Sequence, residues 1–229
     1  MAIEAVVFDM DGVLIDSAAA HYDSWCRLAE ELGRQVTPEQ FAATFGRQNR
    51  DIIPLLFGPD PAPQRVEQLS ERKEAIYREL VRGRLQAIEG AVELVRACHQ
   101  AGFALAVGSS GHPLNIDLAL SELRLTECFR VVVHGGDVLR GKPDPQVFLL
   151  AAERLGVSPS KCAVIEDAPS GIEAALRGGM AAIGLTSMHT AGALERAHLV
   201  VDSLRDLTPD AIGGLSPRGN APGGSAAGA

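Results

Sequence analysis

No stretch of the sequence approaches the ~20 consecutive apolar residues that a membrane span requires, and Met1 to Phe8 holds no basic segment ahead of a long apolar run. Neither a membrane anchor nor a secretory leader is expected, which makes the cytoplasm the expected location. Positive charge is also short. Lys and Arg total 21 against 29 Asp and Glu, a net charge of -8, and no local cluster of basic residues reverses the balance. A surface of that sign repels nucleic acid and anionic lipid, so neither is expected as a partner. Cysteine is sparse: Cys26, Cys98, Cys128 and Cys162 lie far apart, with no C-x-x-C pair and no histidine-rich neighbourhood. The usual zinc spacings are excluded, and four buried free thiols are expected. Only three lysines occur, Lys73, Lys142 and Lys161.

What the chain does have is the composition of an ordinary folded protein, 46% hydrophobic and 22% charged, enough to bury a sizeable core. Its 229 residues exceed the commonest single-domain length and fall short of two full domains, which favours one core carrying an insertion. Apolar runs at Ala5 to Phe8, Phe103 to Gly108, Val131 to His134, Ala163 to Ile165, Ala181 to Leu185 and Leu199 to Val201 read as buried parallel strands. Helix signals lie between the later runs, with Asp144 and Pro145 at a start, Gly156 at an end and Ser158-Pro159 at the next start. Strand and helix alternate, so the expected fold class is α/β, a doubly wound parallel Rossmann-like core.

One interval breaks the alternation. From Ser17 to Leu85 there is no strand-like run, only a helical pattern ending at Leu32-Gly33, a capping box at Thr37-Pro38-Glu39-Gln40 and a charged helical stretch from Gln64 to Arg82. The expected division is a core of residues 1–16 and 86–215 with a helical insertion of residues 17–85. An insertion there sits at the carboxyl end of the first strand, where open α/β sheets bind ligands, and a lid follows from that position. The Gly, Ala, Pro and Ser of residues 216–229 offer too little apolar bulk to offset the entropy of ordering, and a disordered tail without function is expected.

Four strand ends hold the chemistry. The first strand runs into Asp9-Met10-Asp11-Gly12, whose two acids share a side of extended backbone. Such a pair repels itself unless a cation neutralises it or one acid takes a proton, and Gly12 permits a sharp exit from the strand. Asp before Gly is also a common turn residue. After the second strand, Gly108-Ser109-Ser110-Gly111 offers hydroxyls and amides for phosphoryl oxygens, though small residues after a strand also mark plain loops. Lys142, stiffened by Pro143 and Pro145, can screen Asp9 and a transferring phosphoryl group. Glu166 and Asp167 end an apolar run, a costly position unless they bind something. With Asp9 they make an all-oxygen set suited to Mg²⁺.

In that order and at those strand ends, D-x-D-G-V, Ser109, Lys142-Pro143 and Glu166-Asp167 resemble the four motifs of the haloacid dehalogenase superfamily over residues 3–202, and the helical insertion resembles its cap. The resemblance implies Asp9 as nucleophile, Asp11 as general acid and base, Ser109 as phosphoryl ligand and Lys142 as charge neutraliser. It implies magnesium held by Asp9, Asp167 and the Asp11 carbonyl oxygen, with Glu166 assisting. An aspartyl phosphate would form on Asp9 and be released by water that Asp11 deprotonates.

Within the superfamily the chain resembles the β-phosphoglucomutase-like and sugar phosphate phosphatase branch. The match runs through His21, Trp25, Gly46, Arg47, Arg72, Lys73 and Tyr77. Ser110, His21, Arg47 and Lys73 are thereby substrate-binding candidates. For Arg47, Arg50 and Lys73 a solvated helix face is an equal reading, as is a structural role for His21, while for His112, which follows the Ser109 loop, a plain loop role is favoured over one lining the site. The chain has Ile15-Asp16-Ser17 and Lys142-Pro143-Asp144-Pro145 where the mutases resemble T-D-T and K-P-A-P. The expectation is therefore a magnesium-dependent phosphatase acting on a small sugar or polyol phosphate, as a monomer or small homo-oligomer, with a phosphosugar mutase as the alternative. A dehalogenase would have no use for Asp11, Glu166 and Asp167, and Ser109 lacks the G-x-S-x-G elbow of a serine hydrolase. A receiver-like phosphoacceptor would need neither the insertion nor a proton donor at Asp11.

Overall fold

The computed structural model describes residues 2–44, 47–58 and 62–217. Among them, six parallel strands form one sheet: β1 (Ala5–Phe8), β2 (Ala104–Gly108), β3 (Val131–Val133), β4 (Cys162–Glu166), β5 (Ala181–Leu185) and β6 (Leu199–Val201), in the order β3-β2-β1-β4-β5-β6. Strands β1, β2, β4 and β5 are buried at every residue, which is why they read as continuous apolar runs. The chain direction reverses its spread across the sheet at β1. That switch point leaves a crevice outside the strand ends.

Alternate side chains of each strand face opposite layers. Val6 and Phe8 pack with α5 (Ala91–Gln100), α6 (Pro113–Glu122) and α9 (Pro209–Gly213), while Ala5 and Val7 pack with α7 (Gln146–Leu155) and α8 (Pro169–Arg177). Helix α7 starts where expected, with Asp144 Oδ1 accepting the Gln146 N–H at 3.1 Å, and ends at left-handed Gly156. Ser158-Pro159 differs from expectation. It opens only a 3₁₀ turn, Pro159–Lys161, that leads straight into β4. His134 lies beyond β3 and caps the following turn, its Nδ1 accepting the Gly136 N–H at 3.1 Å.

Between β1 and β2 lie α1 (Ala18–Glu31), α2 (Pro38–Ala42), α3 (Asn49–Phe57) and α4 (Pro63–Val81). They share a core of their own around Trp25, Leu28, Ile53, Leu69 and Ile76. The Thr37–Gln40 capping box is present in both directions. Helix α3 has no counterpart in the sequence reading. Pro54 inside it cannot donate to the turn before, yet burial of Ile52 and Ile53 holds it helical.

All four cysteines are free. Cys98 and Cys162 are buried, whereas Cys26 and Cys128 are only half-buried, against the expectation of four buried thiols. No helix among the described residues is long and apolar enough to cross a membrane. Of the expected tail, residues 218–229 lie outside the described residues, as does Gly46.

Candidate active site

Register brings the site together. Phe8 pairs with Val107 on one side and Ile165 on the other, so Asp9, Ser109 and Glu166 leave the sheet at one edge. Asp9 is pinned by its own N–H donating to the Ile165 carbonyl at 3.0 Å. Gly12 then turns the chain at φ 78°. A side chain there would collide with the Asp167 carboxylate, so its absence admits that acid to the site.

Lys142 reaches in from the loop before α7, next to a cis peptide bond to Pro143. Its Nζ donates to Asp9 Oδ1 at 2.7 Å and Glu166 Oε1 at 2.6 Å and stands 4.8 Å from the Phe148 ring centroid. Burial works against the ammonium, but the two carboxylates outweigh it and hold its pKa above the usual lysine range. Glu166 Oε2 accepts the main-chain N–H groups of Asp167 and Ala168, each at 3.0 Å. Both oxygens of Glu166 thus have partners. Asp167 Oδ2 is different: it is buried without a hydrogen-bond partner.

Ligand oxygens of Asp9, Glu166 and Asp167, all three buried, lie within 4.8 Å of one another. Burial, opposed by Lys142 and reinforced by Glu166, pushes the Asp9 carboxyl up to about 7. Burial with Glu166 and Asp9 pushes Asp167 up to about 9. These acids ionise together only if further positive charge enters, and an orphaned oxygen in an all-oxygen set fits a hard divalent cation. The Asp11 carboxylate stands apart from this trio.

Asp11 instead faces the start of the helical segment. Its Oδ1 accepts from Ser17 Oγ at 2.5 Å and faces His21 Nε2 at 3.2 Å. Lys73 Nζ lies 2.7 Å from His21 Nδ1. An ammonium only donates, so Nδ1 accepts and Nε2 bears the proton given to Asp11. Burial would raise the Asp11 carboxyl, but His21 and Ser17 overcome it and bring it to about 2. Lys73 is 2% exposed, which overturns the solvated-face reading of that residue. It is fixed by Glu74 at 2.9 Å, and Glu74 in turn by Asn49 and Asn115. His21 stacks on Tyr77 with centroids 4.1 Å apart.

Two cavities meet here. The small one, about 40 Å³, is lined by Asp9, Ser109, Lys142, Glu166, Asp167 and His189 among others. The larger, about 380 Å³, lies under the helical segment and is lined by all four substrate-binding candidates, Ser110, His21, Arg47 and Lys73, and also by His112. Asp11 and Ser110 line both. Arg47 is exposed at the cavity, whereas Arg50 donates to the Leu139 and Val138 carbonyls at 2.6 and 3.3 Å. Gln48 Nε2 donates across to the Gly135 carbonyl at 3.1 Å. Arg72 pairs with Glu31 on the surface and does not line either cavity.

Sequence reasoning missed Gln48, Glu74, Asn115 and His189. The last had a usable signal: it follows β5 at a carboxyl-terminal strand end, where such sheets bind ligands.

A model of the haloacid dehalogenase-like hydrolase family matches residues 3–179. The chain is 33% identical over 208 residues to a phosphorylated carbohydrates phosphatase of Thermotoga maritima, covering 89% of this chain and 88% of that protein. It is 30% identical to the β-phosphoglucomutase of Bacillus subtilis, covering 90% and 92%. The solved β-phosphoglucomutase of Clostridium difficile superposes with a TM-score of 0.82 at 26% identity, covering 92% of this chain and 95% of that one. The chain therefore belongs to the haloacid dehalogenase-like hydrolases, on the branch that holds β-phosphoglucomutase and the sugar phosphate phosphatases.

Proposed function

We propose that the protein is a magnesium-dependent phosphatase of small sugar or polyol phosphates, acting through an aspartyl phosphate on Asp9. The observation that carries this reading is Asp9 itself, a carboxylate held by Lys142 in the same acid cluster as Asp167 with its unpartnered oxygen, in a small pocket that shares Asp11 and Ser110 with a larger cavity. Named phosphatases among its relatives support phosphoric monoester hydrolysis.

Asp9 attacks phosphorus in line as the ester P–O bond breaks, and Asp11 gives its proton to the departing alkoxide. Water then attacks the phosphorus, Asp11 takes its proton, and the bond to Asp9 breaks to release phosphate. Ser109 Oγ accepts the Gly111 N–H at 3.0 Å, which leaves its own proton for a phosphoryl oxygen. Lys142 opposes the charge on the equatorial oxygens. Magnesium, held by Asp9, Asp167 and the Asp11 carbonyl with Glu166 behind them, would neutralise the acids and phosphoryl oxygens. Ser17 and His21 hold Asp11 as the carboxylate that deprotonates water, and loosening them returns it toward its acid form. Residues 17–85 serve as a cap over the core of residues 1–16 and 86–215, and Ser110, His21, Arg47 and Lys73 face the substrate.

The mutase alternative draws on the β-phosphoglucomutase relative and on exposed Arg47, a cation that could hold a second phosphate. Arg50 is less suited, being engaged with main-chain carbonyls. A panel of sugar and polyol phosphates should release phosphate with magnesium and fall silent with EDTA. β-Glucose 1-phosphate with catalytic glucose 1,6-bisphosphate decides between the readings, because glucose 6-phosphate forming faster than phosphate would establish the mutase. At most one phosphoryl group accepted per chain would mark a phosphoacceptor and refute both.

A further inference from the structure

The loop after β5 touches both halves of the site. Its base is fixed by Thr186, whose N–H donates to the Val201 carbonyl at 3.0 Å and whose hydroxyl donates to Asp202 at 2.7 Å. From there Ser187 Oγ donates to the Gly12 carbonyl at 2.5 Å, in the turn that bears Asp9 and Asp11. Two residues on, His189 Nδ1 lies 3.1 Å from the Asp167 carbonyl. A carbonyl only accepts, so Nδ1 holds the proton. Met188, between them, packs where a side chain on Gly12 would stand.

The Asp167 peptide is thereby held from two sides. Glu166 takes the N–H groups of Asp167 and Ala168, and His189 takes the carbonyl. With its main chain fixed, the carboxylate, whose Oδ2 is unpartnered, stays close to the acids of Asp9 and Glu166. His189 lines the same small cavity.

We infer that His189 is a positioning residue: its Nδ1–H, with Ser187 on Gly12, staples the Asp167 loop to the Asp9 loop and preorganises the cation-binding oxygens. The inference rests on the proposed metal site. Outer-shell partners of this kind change metal affinity by about 10–100-fold when removed.

The test is direct Mn²⁺ binding, followed by the loss of the free-ion paramagnetic resonance signal, for the parent protein, His189→Ala and His189→Asn. Melting curves in EDTA show that each variant is folded. His189→Ala should weaken binding by at least about 10-fold. Asparagine places an amide N–H where Nδ1–H stood, so His189→Asn should recover most of the affinity. Unchanged binding in His189→Ala overturns the inference, as does an asparagine variant as weak as alanine. A parent protein that binds no Mn²⁺ overturns the metal site and this inference with it.

Discussion

Replacing Asp9 by asparagine is expected to lower kcat/KM by at least about 10⁴-fold while leaving the protein folded. The amide keeps the size of the carboxylate and a carbonyl oxygen for Lys142, so the 2.7 Å contact at Oδ1 has a successor. What it loses is the oxygen that the proposed mechanism uses as nucleophile, and no neighbour replaces that. Glu166 is tied at both oxygens, and Asp11 faces Ser17 and His21. Steady-state kinetics on the best ester, with a melting curve for each protein, provide the check. Turnover within a few-fold of the parent would remove Asp9 from the nucleophile's role.

Lys142→Met should damage both rate and stability. Its ammonium is the shared partner of Asp9 and Glu166, and all three side chains are nearly inaccessible. Removing it strands two buried carboxylates, a change of about 3–5 kcal/mol, and removes transition-state charge stabilisation of about 10²–10³-fold in kcat. The stability deficit should depend on pH. In the folded metal-free protein burial pushes the Asp9 and Asp167 carboxyls up to about 7 and about 9, from an ordinary value of 3.8. From about pH 4 to 9 these two acids therefore hold more protons in the folded state than in the unfolded one, and their contribution to stability falls with rising pH by about 1.4 kcal/mol per pH unit for each extra proton. Without Lys142 both acids have more reason to stay protonated. The variant should lie closer to the parent at pH 5.5 than at pH 8 in EDTA. Equal deficits at the two pH values would mean that the ion pairs do not govern this core.

Much of this arrangement was legible in the sequence because it is local. A buried parallel strand shows itself as an unbroken apolar run, and an acid placed just after one stands out, as Asp9, Glu166 and Asp167 do. The capping box at Thr37 was equally plain, since both of its bonds join residues three apart. Contacts between distant segments left no such trace. Lys73 looked like one charge in a solvated row, yet it is buried because His21, 52 residues away, and neighbouring Glu74 both receive it. Adjacent residues on a helix point in different directions, so Arg72 is exposed while Lys73 is not. Pro54 hid α3, whose helicity comes from the burial of Ile52 and Ile53 rather than from propensity. His189 bonds to a main-chain carbonyl, and a carbonyl has no side-chain identity for a sequence to reveal.

The proposed phosphorylation of Asp9 is open to direct capture. Enzyme mixed with excess substrate and magnesium, quenched in acid within the first turnovers and reduced with borohydride, would convert an aspartyl phosphate to homoserine. Peptide mass spectrometry then locates the modified residue. Homoserine at position 9, absent when EDTA replaces magnesium, is the predicted result. Phosphate released at full rate with Asp9 unmodified, or the phosphoryl group found on Ser109, would contradict it.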